Sequence, residues 1–417
     1  MITRVQALFY KGFKYLDVAL NPFVILVGPN ASGKSTFIDI FNFIRDTLID
    51  GPEAAVQKRS SQFMELLWNQ IGTRIEFAIE IAIPAPMSEV FRSARYELSV
   101  ALDDRLGIVI ENEYLWLLKE GAELLEPGKD HTRQCTIFPS EPIAPEFIIT
   151  QRKKTPIGWR KIISKSAQGN DYFRSETTDW NIIYRFGPYK ASLARIPEDE
   201  ARFPISLWIK KILMENIQFL QLNSIAMRWP CRPDSPVAFQ MEGNNLPKVI
   251  KYLRDEHPKN FDQWLKHVRS ALPEVDRITI QERPENRSLY LQFEYLNKNW
   301  VPSWLLSDGT LRLLAQTLIA YLPEKDRLFM IEEPENGLHP LAIESVYQSL
   351  SSCYDNQIIL ATHSPGIIRL AEPRDIICFS KTESGLIDIC PGLEHPRLKN
   401  WMKGIDLATL HAAGVLQ

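Results

Sequence analysis

The chain lacks any cysteine arrangement suited to a metal or to stapling a small core. Its five cysteines stand at 135, 231, 353, 378 and 390, with no CxxC pair, which excludes a zinc ribbon or a thioredoxin-like motif and reads as reduced thiols. No apolar run approaches the ~18 residues of a membrane helix, and MITRVQALFYKGFKYL at the start has no signal-peptide core. The expectation is a cytoplasmic protein without membrane contact. A dominant charge sign is also missing. The 48 Lys and Arg against 51 Asp and Glu leave a net −3, so no global field draws the chain to nucleic acid. Any DNA contact must come from a local basic surface. Internal repeats and sustained heptads are absent as well, which excludes long coiled-coil arms. What remains, 45% hydrophobic and 24% charged over 417 residues, is ordinary globular composition. Such a length holds two domains, or one domain with a large insertion.

Strand-like runs open the chain at Val5–Tyr10, Val18–Leu20 and Val24–Val27, the last a continuous apolar run ending in glycine. A helix is expected over Ser35–Asp46, where Phe37, Ile40, Phe41 and Ile44 share one face. Alternating patterns at Arg74–Ile83, Tyr96–Leu102 and Gly107–Leu118 predict an antiparallel meander. Residues 119–200, rich in Pro, Gly and charge, carry little readable periodicity. Helical spacing returns over Pro247–Leu272, with strands expected at Arg277–Gln281 and Leu289–Phe293. The last third is α/β: a helix from about Thr310, a strand Leu328–Ile331, a helix from about Leu341 and a strand Gln357–Ala361.

Three motifs carry chemistry. GPNASGKS, Gly28–Ser35, follows the buried strand and precedes the helix, as a phosphate loop requires. Its glycines let backbone N–H groups wrap a triphosphate, the helix N-terminus adds its dipole, Lys34 brings a point charge and Ser35 a hydroxyl for Mg²⁺. Gly28, Pro29, Asn30, Ala31, Ser32, Gly33, Lys34, Ser35 and Thr36 are the expected nucleotide residues. LFMIEEPENGLHP places two carboxylates at a strand end. Glu332 is assigned to the metal and Glu333 to polarising the attacking water. QIILATHS ends a second buried strand at His363, assigned to sensing the γ-phosphate. WLLSDGTLRLLAQ then poses a question, because Ser307, Asp308 and Gly309 open a helix suited to an anion far from the phosphate loop.

Taken together, GPNASGKST, LSDGTLR, EEPENGLHP and ATHS resemble the ABC-type ATPases of the SMC, RecF and OLD class, over about residues 1–70 and 300–385. The resemblance implies an α/β fold in which an ABC-type P-loop ATPase core is split by a large α+β insertion. Residues 1–70 are the N-terminal part of the core, 71–300 the antiparallel strands and insertion, and 301–417 the C-terminal part. It also implies ATP and Mg²⁺ as ligands, and a homodimer in which the signature Ser307, Asp308 and Gly309 closes over the partner's ATP; higher oligomers stay open. Asp308 stands where transporter subunits usually carry glycine, which counts against a transport role. AVQKRSSQFMELLW and MEGNNLPKVIKYL are weaker likenesses to stand-alone bacterial ATPases of this class. By that likeness Gln62 is assigned to the metal, against the alternative of an ordinary surface loop, and Lys14 is either a nucleotide contact or solvated.

OLD-class proteins often add a TOPRIM-type nuclease. The segment after His363 shows no DxD pattern and no HNH-like cluster is found, so the expectation is an ATPase whose nuclease-like effector is a separate polypeptide, in defence against phage. The alternative is a RecF- or SMC-like ATPase gripping DNA in repair or chromosome maintenance. QRKKTPIGWRKIISK, Gln151–Lys165, bears on that choice: Arg152, Lys153, Lys154, Arg160, Lys161 and Lys165 with Trp159 form either a phosphate-tracking hairpin or a solvated one.

Overall fold

The computed structural model describes residues 1–122, 142–150, 155–166, 170–382 and 384–399. Its strands in chain order are β1 (Ile2–Tyr10), β2 (Phe13–Ala19), β3 (Phe23–Val27), β4 (Arg74–Ala82), β5 (Phe91–Asp103), β6 (Gly107–Lys119), β7 (Trp159–Ser166), β8 (Asp171–Arg174) and β9 (Asn181–Tyr184). They continue with β10 (Ile217–Leu220), β11 (Val275–Glu282), β12 (Leu289–Tyr295), β13 (Trp300–Pro302), β14 (Leu328–Glu332), β15 (Gln357–Thr362), β16 (Ile376–Lys381) and β17 (Ile387–Pro391).

Three sheets result: an antiparallel one ordered β2-β1-β4-β5-β6-β7-β8-β9, a mostly parallel one ordered β10-β14-β15-β3-β16-β17, and a small β11-β12-β13. Strand β3 shows why the parallel sheet needs cover on both faces. All five of its residues are buried, with Val24 and Leu26 facing one core and Phe23, Ile25 and Val27 the other. On the first side lies the helix Lys34–Asp50, sandwiched against the antiparallel sheet through Phe37, Ile40, Phe41 and Ile44. On the second side pack the helices Leu246–Glu256, Pro258–Ala271, Asp308–Leu318 and Pro340–Ser351. The single helical run expected over 247–272 is broken at His257–Pro258, since proline cannot donate the N–H a continuing helix requires.

Two features cross the boundaries expected at residues 70 and 300. Strands β1 and β2 pair into the same sheet as β4–β9, so that sheet runs continuously from the first residues into the insertion. Strand β10, within the span given to the insertion, lies parallel to β14 with Leu220 opposite Ile331 and is the edge of the mostly parallel sheet. Residues 119–200, with little periodicity, contribute β7, β8 and β9, held in part by side chains. Buried Glu113 accepts the N–H groups of Ser192 and Leu193, and Lys165 pairs with Asp171 at 2.6 Å. Among the described residues no helix is long and apolar enough to cross a membrane. Cys231, Cys353 and Cys378 are buried thiols, Cys390 is disulfide-bonded, against the expectation of reduced thiols throughout, and Cys135 lies outside the described residues.

Candidate active site

The parallel sheet delivers the sequence motifs to one edge. Strand β3 pairs with β15, which pairs with β14, so the loops after Val27, Glu332 and Thr362 leave neighbouring strands on the same side. They surround a cavity of about 830 Å³ lined by Asn30 to Thr36, Glu332, Glu333 and His363.

Backbone geometry explains the loop's glycines. Gly33 precedes the helix at φ 102, a left-handed value costly for other residues. A Cβ on Gly28 would stand 2.2 Å from the Phe379 carbonyl oxygen. Lys34 is buried and its Nζ donates to the carbonyls of Gly28 (2.8 Å) and Pro29 (2.9 Å). Burial pulls the Lys34 ammonium down to about 8, against the opposing pull of Glu332 and Glu333. The Ser32 hydroxyl is buried with no hydrogen-bond partner. A buried donor of this kind, beside a cationic lysine and a helix N-terminus, fits a polyphosphate.

Strand β14 ends at Glu332, opposite Ala361. Glu333 turns into the left-handed region at φ 46 and is held there by its N–H to the Ala361 carbonyl at 2.8 Å. Strained backbone of this kind is characteristic of functional turns. Asn336 Nδ2 donates to Glu333 Oε2 at 2.8 Å. Burial, then Lys34, holds the His363 imidazole below its ordinary value, against Glu333 and Glu335, so the ring is predominantly neutral at pH 7. His339 has a local role: its Nδ1 accepts from Leu341 N at the start of the next helix.

Ser307 lies outside this cavity. It caps the helix Asp308–Leu318, its Oγ accepting from Thr310 N at 3.1 Å, and is exposed. Asp308 pairs with Arg228 at 2.5 Å, and Arg228 also donates to the Leu306 carbonyl. Gly309 packs so tightly that a Cβ there would stand 2.5 Å from the Gly337 carbonyl oxygen.

Other expected residues lie away from this cavity or outside the described residues. Gln62 is exposed before a short 3₁₀ turn and does not line the cavity. After the short helix Pro52–Gln57, Arg59 turns back to Asp39 and Asp46 of the phosphate-loop helix at 2.7 and 2.9 Å and fixes the following loop against that helix. Gln221, directly after β10, lines the cavity instead. Asn223, Glu242 and Arg312 line it too. A glutamine ending a short apolar run, in IQFLQ, was the available signal for Gln221; it needed the knowledge that β10 neighbours β14. Lys14 rests over the Trp68 ring at 5.4 Å and is no lining residue. In the basic segment, Gln151, Arg152, Lys153 and Lys154 lie outside the described residues. Arg160 donates to the Ser175 carbonyl, Lys161 sits over the rings of Tyr114 and Trp116, Lys165 is buried, and Trp159 is core. Among the described residues, no group of three or more His, Cys, Asp or Glu is placed to hold a metal by itself.

The chain matches over residues 23–369 the family described as "AAA domain, putative AbiEii toxin, Type IV TA system". It is 34% identical over 91 residues to the Old nuclease of Escherichia phage P2, an alignment covering 19% of this chain and 16% of that protein. The chain thus aligns with about a sixth of that relative's length. A solved Smc head bound to the C-winged helix domain of ScpA aligns over 93% of this chain and 97% of its own, at 15% identity and a TM-score of 0.52. An Smc head with an extended coiled coil, bound to the C-terminal domain of ScpA from Pyrococcus furiosus, aligns over 93% and 95% at 14% identity and 0.49. The former likeness shows a shared fold.

Proposed function

Because the chain belongs to this AAA-domain family and has the Smc-head fold, we propose that it is a Mg²⁺-dependent ATPase that pairs as a homodimer around ATP. Its open and closed forms then regulate a separate, nuclease-like effector in defence against phage. One observation carries the enzymatic part: Lys34, Ser35, Glu332, Glu333 and His363, spread over most of the chain, line one cavity. The motifs together with the short Old alignment support the placement in the SMC, RecF and OLD class, and the role in defence is read from that alignment and the family.

In this reading the loop amides, the Ser32 hydroxyl and Lys34 hold the phosphates. Ser35, Glu332 and Gln221, in place of Gln62, are the polar groups available to a magnesium ion. Few protein ligands are what that ion takes when phosphates and water complete its shell; bound there, it would neutralise phosphate charge. Glu333 accepts the proton of the attacking water, and neutral His363 donates a hydrogen bond to the terminal phosphate. The exposed helix start at Ser307 offers N–H groups, a hydroxyl and a dipole to the triphosphate of a second copy. Such an arrangement is isologous, with two sites per pair. The core reading keeps residues 1–70 and 301–417 as its halves around 71–300, with β10 added from the insertion. Of the basic segment, Arg160, Lys161 and Lys165 are turned to the protein's own groups, so they lend no support to the DNA-gripping alternative.

Subunit mixing tests the shared site. A Lys34→Ala subunit and a Ser307→Arg subunit, each inactive alone, should regain about one working site per heterodimer. No recovery where the heterodimer demonstrably forms would remove the shared-site reading.

A further inference from the structure

We propose that Glu335 is a positioning residue for ATP hydrolysis that acts by fixing His363 relative to Glu333. The proposal rests on the reading that His363 contacts the terminal phosphate. Glu335 lies two residues beyond Glu333, on the turn after β14, and its carboxylate reaches across to the end of β15. Oε1 accepts from the Thr362 hydroxyl at 2.7 Å and from the His363 N–H at 3.3 Å. The same Thr362 oxygen accepts from Ser364 N at 2.9 Å. The residues before and after the histidine are thus tied to one carboxylate.

The turn that carries Glu335 is itself fixed at several points. Glu333 N–H donates to the Ala361 carbonyl at 2.8 Å, Leu338 N donates to the Glu335 carbonyl at 3.0 Å, and Gln316 Nε2 holds the Pro334 carbonyl at 2.8 Å. The base and the histidine therefore belong to two strand ends joined by one backbone bond and one carboxylate. Without the carboxylate, the Thr362–Ser364 turn keeps its internal bond and loses its tie to the base.

Stability alone does not account for this residue. Glu335 Oε2 is buried and has no hydrogen-bond partner, an arrangement that costs stability and is uncommon in native proteins. A neutral side chain would meet the same two donors without burying charge. The charged groups whose fields act on the His363 ring are Lys34 from the phosphate-loop helix and Glu333 and Glu335 from the turn after β14. Glu335 thus also sets a negative charge against Lys34 beside the imidazole.

Steady-state ATP hydrolysis by the full chain tests the proposal, with Glu335→Ala and Glu335→Gln each made in wild-type and His363→Ala backgrounds. A misplacement of ~1 Å costs on the order of 100-fold in rate. Glu335→Ala should therefore lower kcat by about 10- to 100-fold while KM for ATP stays within about twofold. In the His363→Ala background it should cause no further loss, since residues acting as one unit are non-additive. Glu335→Gln, which keeps an acceptor and the side chain's size, should lose less and melt like wild type. It carries the test if the alanine variant does not fold. Wild-type kcat in the Glu335 variants, beside a His363→Ala protein of strongly reduced but measurable kcat, would overturn the positioning role alone. The same fold-loss in both backgrounds would overturn it too. A fully active His363→Ala protein would first overturn the role of His363, and this proposal with it.

Discussion

If Lys34 holds the phosphates as proposed, nucleotide affinity turns on its charge, because burial holds its ammonium at about 8 in the free protein. Below that pH the side chain is charged and ready for a phosphate; above it the neutral amine dominates. A bound triphosphate favours the charged form, so binding takes up a proton as pH passes 8. Affinity for ATP should then fall by up to about tenfold per pH unit above 8. Titration calorimetry in buffers of different ionisation heat reads that uptake directly, and an affinity flat from about pH 7 to 9.5 would contradict it. For Glu333, substitution by Gln should keep ATP binding and lower turnover by about 10²- to 10⁴-fold, leaving a long-lived dimer visible by light scattering. Turnover at the wild-type rate would refute Glu333 as the base. The phosphate loop, both glutamates and His363 were legible because each is local: a few residues on a strand end. Gln221 was not, because its place depends on β10 lying beside β14, more than 100 residues later in the chain.

At the scale of elements, the helix Asp308–Leu318 packs closely on the turn that carries Glu333 and Gly337. Gly309→Ala would place a Cβ 2.5 Å from a backbone oxygen, and backbone gives way less easily than a side chain. The expected outcome is retained ATP binding with kcat reduced about tenfold, as small misplacements at a reacting centre produce; unchanged kcat would show that the turn adjusts without consequence. In the antiparallel sheet, Arg95 is buried between Glu80 (2.9 Å) and Glu97 (2.7 Å) and also donates to the Ile148 carbonyl. Arg95→Leu removes the buried cation between two carboxylates, leaving Glu97 its bonds from Trp116 and Thr150 and Glu80 its ion pair with Arg4, and should cost about 3–5 kcal/mol, measured by denaturant unfolding. A loss below about 1 kcal/mol, the usual worth of a surface pair, would contradict that account. Strands β4, β5 and β6 were readable because apolar residues alternate with polar ones, even though the polar face of β4 and β5 is buried too, where Glu76, Arg95 and Glu97 bond residues 148–150. Strands β7 to β9 were not, since β8 and β9 are only four residues each and Glu113 and Asp171 anchor neighbouring loops through side-chain bonds that leave no periodic trace.

The whole molecule is layered: antiparallel sheet, phosphate-loop helix, parallel sheet, outer helices. A core interrupted in sequence was foreseeable from motif order, whereas the continuity of the first sheet across residue 70 was not, because strand pairing is a long-range choice. Strand β3 illustrates what that choice entails. Its neighbours are β15, with Val24 opposite Ile359, and β16, with Val27 opposite Cys378. During synthesis β3 and the phosphate loop after it leave the ribosome long before either of the strands that flank β3, Gln357–Thr362 and Ile376–Lys381, is made. Pairing over such separations is slow, and until it happens an apolar five-residue strand has no ladder on either side. A nascent chain would therefore carry the nucleotide motif long before it has a nucleotide site, and its exposed strand would be a target for chaperones. Competence to bind ATP must wait until β15 and β16 have emerged to complete the sheet around β3.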